Sequence, residues 1–149
     1  MLGELTSREI EHMLQSQWVA RLGLHADGQT YVVPINYAYD GRAVYGHSND
    51  GLKLRLMRAN PEVCVEVDHV ENLANWKSVI AWGRFEELHH KAAMDAMHLL
   101  VARFTPLMAA HATTPTHGRP SAAEADSSIP QAAVFRIVLA KRTGRFERR

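Results

Sequence analysis

With one cysteine, Cys64, among 149 residues, the chain cannot build an intrachain disulfide framework. No apolar run approaches the ~18 residues of a membrane-spanning helix, and no secretory h-region stands at the N-terminus. The cytosol is therefore the expected compartment, with no membrane partner. Charge of one sign is also missing: 17 basic against 16 acidic side chains leave +1 with histidines neutral. That balance supplies no electrostatic footprint for nucleic acid. The basic end, Lys141 to Arg149, reads as a solvated tail.

Chemical signatures are missing as well. The sequence holds no GxGxxG, no GxxxxGK[ST] and no GxSxG, which argues against dinucleotide-binding, P-loop and α/β-hydrolase readings. It does not argue against a flavin, because flavins bind many folds. Nine histidines are present, but no HExxH, CxxC or close histidine–carboxylate grouping has ligand spacing, so no dedicated metal site is expected. Haem held by a single histidine stays open.

What is present reads as one domain, residues 1–149, with a single core. Thr6 and Glu9 form a capping box ahead of a helix, and Leu5 is placed to staple onto Ile10 across it. Ile10, Met13 and Leu14 give that helix its apolar face. Trp18–His25 reads as a strand, with Gly28 in the following turn. Tyr31–Tyr39 and Ala43–Ser48 read as a hairpin turned by Asp40-Gly41. Spacing then becomes helical from Leu52 to the stop at Asn60-Pro61, where proline disfavours helix in the residue before it.

Beyond the stop, Val63, Val65 and Val67 alternate with Cys64, Glu66 and Asp68, the mark of a half-buried strand. Cys64 there reads as a small hydrophobe rather than a nucleophile. Trp76–Leu88 is a long strand in which Gly83 marks a bulge or a close approach. His89–Phe104 reads as a helix, residues 105–130 as a proline-rich flexible loop insertion, and Ala132–Arg142 as the last strand. Six strands with mostly hairpin connections predict an antiparallel barrel or sandwich.

The stretch from Tyr31 to Lys53 organises the rest. Ser48, Asn49 or Asp50 could cap the Leu52 helix, and Lys53 lies in its first turn. Free N–H groups, the positive end of a helix dipole and a lysine together suit a phosphate. The alternative is an ordinary capped helix with a solvated lysine. His47 ends the strand just before this turn, and both a structural and a functional role are open to it.

In succession, VVPINYAYDGRAVYGHSNDGLKLRLMRANPEVCVEVD, NWKSVIAWGRFEEL and FRIVLAKRTGR resemble the pyridoxamine 5′-phosphate oxidase-like family of FMN-binding split β-barrels. Its nitroimidazole-resistance-type branch is the nearest in pattern. The likeness runs from the Thr6 helix to Arg145, with only the proline-rich segment outside it. It implies a six-stranded antiparallel split β-barrel and a homodimer with FMN at the interface. It places the isoalloxazine along Val33, Pro34, Ile35, Asn36 and Tyr37, and the phosphate at Gly46, His47, Ser48 and Lys53. The second subunit would contribute Trp76, Lys77, Ser78 and Val79. An accessible strand edge offers donors and acceptors to the pyrimidine side of a flavin, and Trp76 could cover a ring.

Two departures bear on substrate. Leu52 stands where pyridoxamine 5′-phosphate oxidases proper carry an arginine beside the phosphate lysine, and their longer C-terminal arginine motif is not evident. Vitamin B6 oxidation is disfavoured accordingly. The implied activity is FMN-dependent reduction of a small electron-poor compound such as a nitroaromatic, with NAD(P)H as electron source and His47 as catalytic acid. A deazaflavin protein, a haem-binding split barrel and a non-catalytic flavin binder are the alternatives. The loop at 105–130 would be a flap over the ring or a plain surface loop.

Overall fold

The computed structural model describes residues 1–111 and 133–149. In chain order it runs β1 (Leu2–Glu4), α1 (Ser7–Ser16), β2 (Val19–Ala26), β3 (Gln29–Asn36), β4 (Ala38–Tyr39), β5 (Ala43–Ser48) and α2 (Leu52–Ala59). It continues with β6 (Glu62–Asn72), β7 (Asn75–Leu88), α3 (His90–His111) and β8 (Ala133–Glu147). Eight strands form one sheet in the order β3-β2-β6-β7-β8-β5-β4, with β1 on the far part of β8, and the pairings are antiparallel.

That order contains its own closure. β3 and β4 stand at opposite ends of the sheet path, yet one residue, Tyr37, joins them in sequence. The sheet must therefore curl until its two ends meet, which makes it a split barrel. Alternate side chains fill the interior: Leu22 and Leu24 of β2, Val63, Val65 and Val67 of β6, Phe135 and Ile137 of β8. Ile10, Met13 and Leu14 of α1 and Leu54, Leu56 and Met57 of α2 join the same cluster.

Local chemistry accounts for most boundaries. The capping box forms as expected: Thr6 Oγ1 accepts from the Glu9 N–H at 3.2 Å, and Glu9 Oε2 accepts from the Thr6 N–H at 2.8 Å. Leu5 and Ile10 close over Gly144 of β8, where a Cβ would lie within 2.9 Å of both. Asp40 Oδ1 accepts from the N–H groups of Arg42 and Ala43, both at 2.8 Å, which holds the turn into β5.

Three sequence expectations change. Tyr31–Tyr39 is not one strand paired with Ala43–Ser48. β3 pairs with β2 across Asp27-Gly28, both at positive φ, and only Ala38 and Tyr39 pair with β5. Tyr37 breaks the run because its N–H donates to the Trp18 carbonyl and its buried hydroxyl donates to Leu14 O at 2.7 Å. Second, the segment taken as a loop from Thr105 is helical to His111, with Pro106 inside α3. Thr105 Oγ1 bonds the Val101 carbonyl, and Arg103 ties the helix to the carbonyls of Ser16 and Gln17. Residues 112–130 of that expected loop, and the flap assigned to them, lie outside the described residues. Third, β1 was not foreseen, and β8 extends five residues past Arg142 to pair with it.

Gly83 is the close approach expected of it. The β7–β8 register slips between Trp82 and Gly83, and a Cβ at 83 would run into the Val138 carbonyl and come 2.8 Å from Ile137 Cγ2. Backbone cannot yield as a side-chain end does. Gly83→Ala should therefore lower unfolding stability by about 2 kcal/mol, within the usual range for overpacking. Urea denaturation with an unchanged midpoint would show that the bulge tolerates a side chain.

Candidate functional site

β3 is an edge strand, so one row of its backbone groups faces away from the sheet. Pro34, lacking an N–H, is tolerated in such a position. The strand exposes Pro34 and Asn36, half-buries Val33 and sends Ile35 into the core. Tyr37 follows with both its N–H and its hydroxyl committed to the protein, and burial pushes the pKa of that hydroxyl up. Asn36 lines a groove of about 390 Å³ with Trp18, Phe104, Leu107 and Met108.

The curl of the barrel brings β5 beside the end of β3. A Cβ on Gly46 would lie 2.8 Å from the Phe135 ring and 3.4 Å from Ile35 Cδ1, so glycine allows strand, ring and isoleucine to share that space. His47 is exposed, and its ring has no hydrogen bond among the described residues. Ser48 is buried, its hydroxyl donating to the Asn49 carbonyl at 2.8 Å.

None of the three expected capping residues caps α2. Its N-cap is Gly51, in extended backbone, with no side-chain hydrogen bond to the first turn. The first-turn N–H groups are left without a side-chain acceptor. Lys53 sits there half-buried, and burial alone lowers its pKa. Its amine makes no hydrogen bond or ion pair among the described residues, and neither does the Arg55 guanidinium two residues on. Arg58 differs: Nε and Nη2 hold Glu87 at 3.0 and 2.7 Å, and Nη1 holds Asp50 at 3.1 Å. The bond from Arg58 keeps the Glu87 carboxyl below its ordinary value. A groove of about 390 Å³ runs along Asp50, Gly51, Leu52, Arg55 and Arg58. Arg55 and the Arg58 clamp were not singled out in the sequence. Arg55 was legible two residues after Lys53, whereas Glu87 lies 29 residues from its partner with no local signal.

Trp76, Lys77, Ser78 and Val79 are not brought to this cluster within one chain. They open β7 and pair with the far end of β8, Trp76 opposite Glu147 and Val79 opposite Gly144. His47 pairs with Val134 at the near end. Ten or more residues of strand separate the two places, on the order of 35 Å. Val79 is buried in the core, Trp76 Nε1 donates to Glu147 Oε2 at 3.2 Å, and Ser78 Oγ donates to Glu66 Oε1 at 3.1 Å. Lys77 is half-buried, and its amine has no hydrogen bond or ion pair among the described residues. A larger groove, about 570 Å³ around Cys64, Trp82 and Gly83, touches none of the residues named from the resemblance.

Comparison with known proteins agrees with the barrel and its strand motifs. The family model for pyridoxamine 5′-phosphate oxidase matches residues 6–146. The chain belongs to that family. A FAD-binding protein from Mesorhizobium loti is similar over 100% of this chain and 98% of that one, with 31% identity and a TM-score of 0.76. Two more distant members of the fold are a candidate 5-nitroimidazole antibiotic resistance protein from Bacteroides thetaiotaomicron and a FAD- and heme-binding protein from Mycobacterium smegmatis. The first is 18% identical, with a TM-score of 0.70 over 98% of this chain and 87% of that one. The second is 16% identical, with a TM-score of 0.71 over 98% and 73%. An uncharacterized Rhizobium meliloti protein is 36% identical over 84 residues, and the match spans 56% of each chain.

Lys53 carries a testable consequence of opposite signs. Its amine gives up a proton more readily in the fold than in the unfolded chain, so its charge costs stability below the ordinary lysine range, and that cost fades as pH rises. Lys53→Met should keep or raise the melting temperature of the ligand-free protein while weakening binding of a phosphorylated ligand about 10- to 100-fold. Thermal melts paired with FMN titration check both signs. A variant that is destabilised and binds FMN normally would make Lys53 a structural residue.

Proposed function

We propose that this protein is a flavin-dependent oxidoreductase, with FMN held between two copies of the chain and electrons passed from NAD(P)H to a small electron-poor acceptor. The observation that carries the reading is the half-buried Lys53, its amine without a partner among the described residues, at the start of an uncapped helix that packs on β2, the neighbour of the open β3 edge. A cation placed in that way is costly unless an anion joins it, and a phosphate dianion meets the N–H groups and the amine together. Val33, Pro34, Ile35, Asn36 and Tyr37 would lie along the ring, with Pro34 and Asn36 the residues whose backbone groups turn away from β2 toward the open edge. Gly46, His47, Ser48 and Lys53 would hold the phosphate end. The distance along β8 between His47 and the Trp76–Val79 strand supports a site completed by a second copy.

The flavin, when bound, supplies the hydride chemistry at N5. The chain's part is to hold it, exclude water from one face and deliver a proton. His47 is our candidate acid, since it is exposed, its ring is free of hydrogen bonds among the described residues, and an imidazole ring nitrogen can donate a proton. The cytosol is the compartment we assign; among the described residues no helix is long and apolar enough to cross a membrane.

FAD is the second reading. The groove at Asp50, Leu52, Arg55 and Arg58 would extend from the phosphate position, and the Arg55 guanidinium there has no partner among the described residues. The similar Mesorhizobium protein is itself FAD-binding. Chromatography of flavin released from the purified protein separates the two.

Purified protein reconstituted with FMN should retain flavin absorption after desalting and oxidise NAD(P)H in the presence of a nitroaromatic. His47→Ala, assayed with FMN at saturating concentration, should lose about 100-fold or more of turnover. Retained flavin with undiminished turnover in that variant would remove His47 as the acid. No retained flavin in the parent would remove the function itself.

A further inference from the structure

The loop before α2 offers Ser48, Asn49 and Asp50, all good helix caps, and the helix is nonetheless uncapped. Two of the three are visibly diverted. The Ser48 hydroxyl donates to the Asn49 carbonyl, and the Asp50 carboxylate lies 3.1 Å from Arg58 Nη1 on the flank of the helix. Arg58 is itself fixed: two further nitrogens grip both oxygens of Glu87 on β7. Glu87 belongs to the sheet, so the clamp ties the capping loop to a rigid element rather than to another loop.

A carboxylate close to a helix start has a favourable place to go. It can accept from the first-turn N–H groups and lie near Lys53. A phosphate dianion would then meet a repelling charge and occupied donors. We propose that Arg58 is a positioning residue that holds Asp50 away from the start of α2 and so keeps the flavin phosphate site open. This rests on the reading of the flavin site given above. Arg58 does not touch the flavin in this account; it acts through Asp50.

Isolated FMN binding, followed by quenching of flavin fluorescence, reads the effect without any need for turnover. Arg58→Ala should weaken FMN binding about five- to tenfold, the scale of one helix cap. Asp50→Ala alone should bind as tightly as the parent or slightly tighter. The double variant Arg58→Ala with Asp50→Ala should regain most of the loss, because the competing carboxylate is gone. Glu87→Gln, which loosens Arg58 without removing it, should shift affinity the same way by a smaller factor and stands in if Arg58→Ala does not fold. A loss at Arg58 that Asp50→Ala does not relieve would make Arg58 a direct ligand or a stability residue and overturn the proposal. Unchanged affinity in both Arg58→Ala and Glu87→Gln would also overturn it. Lys53→Met, measured alongside, separates the two levels: if it too binds FMN normally, the placement of the phosphate is wrong; if it alone weakens binding, only the role of Arg58 falls.

Discussion

The backbone contact between Gly83 of β7 and the Val138 carbonyl of β8 is the constraint on which the rest of the molecule depends. Two long strands pair along almost their whole length, and the register slips at that one point. A bulge there raises the local twist and lets the sheet turn. Without that turn the ends of the strand path, β3 and β4, could not be joined by Tyr37 alone. The same curl delivers Ile35 of β3 to Gly46 of β5, while α2 packs on β2, the strand next to the unpaired edge. Position of the candidate site is a consequence of how the barrel closes.

Electrostatics then distinguish that site from the rest of the surface. Arg21 meets Glu66 and Asp68, Arg136 meets Glu86, and Arg58 meets Glu87 and Asp50. These pairs are exposed to different degrees, and none argues for much stability by itself. Among the described residues Lys53, like Lys77, is half-buried with no carboxylate, but Lys53 alone of the two lies at a helix start, and the side chain of Arg55 beside it is unpaired too. Two unpaired cations at an uncapped helix start form a local excess of positive charge in a chain whose formal net charge is only +1. Under the proposed function, stability of the ligand-free fold would be given up there in return for affinity.

Much of this was legible in the sequence because it is local. The Thr6–Glu9 box, the Asn60-Pro61 stop and the alternation of Val63, Val65 and Val67 each follow from residues near one another, and a glycine inside a strand pattern marked Gly83 although its partner Val138 is distant. Lys53 in the first helical turn was equally plain. What escaped depends on contacts distant in the chain. Tyr37 looks like any strand tyrosine until the carbonyls of Leu14 and Trp18 are set opposite it. β1 exists through pairing with Arg145–Glu147 at the other terminus. Ser48, Asn49 and Asp50 look like caps until Arg58 and Glu87 are known to draw Asp50 aside. Pro106 would end most helices, and its helix continues with Arg103 anchored on the end of α1.

Hydrogen exchange of the protein with and without FMN tests the central claim most directly, because it reads the two distant ends of β8 in one measurement. The account predicts slower exchange of amides at residues 33–37, at 47–54 and at 76–79 when FMN is added. Joint protection requires that the start of β7 from a second copy reaches the flavin held by β3, β5 and α2 of the first. Protection confined to the groove around Cys64 and Trp82, with no change at residues 47–54, would contradict it.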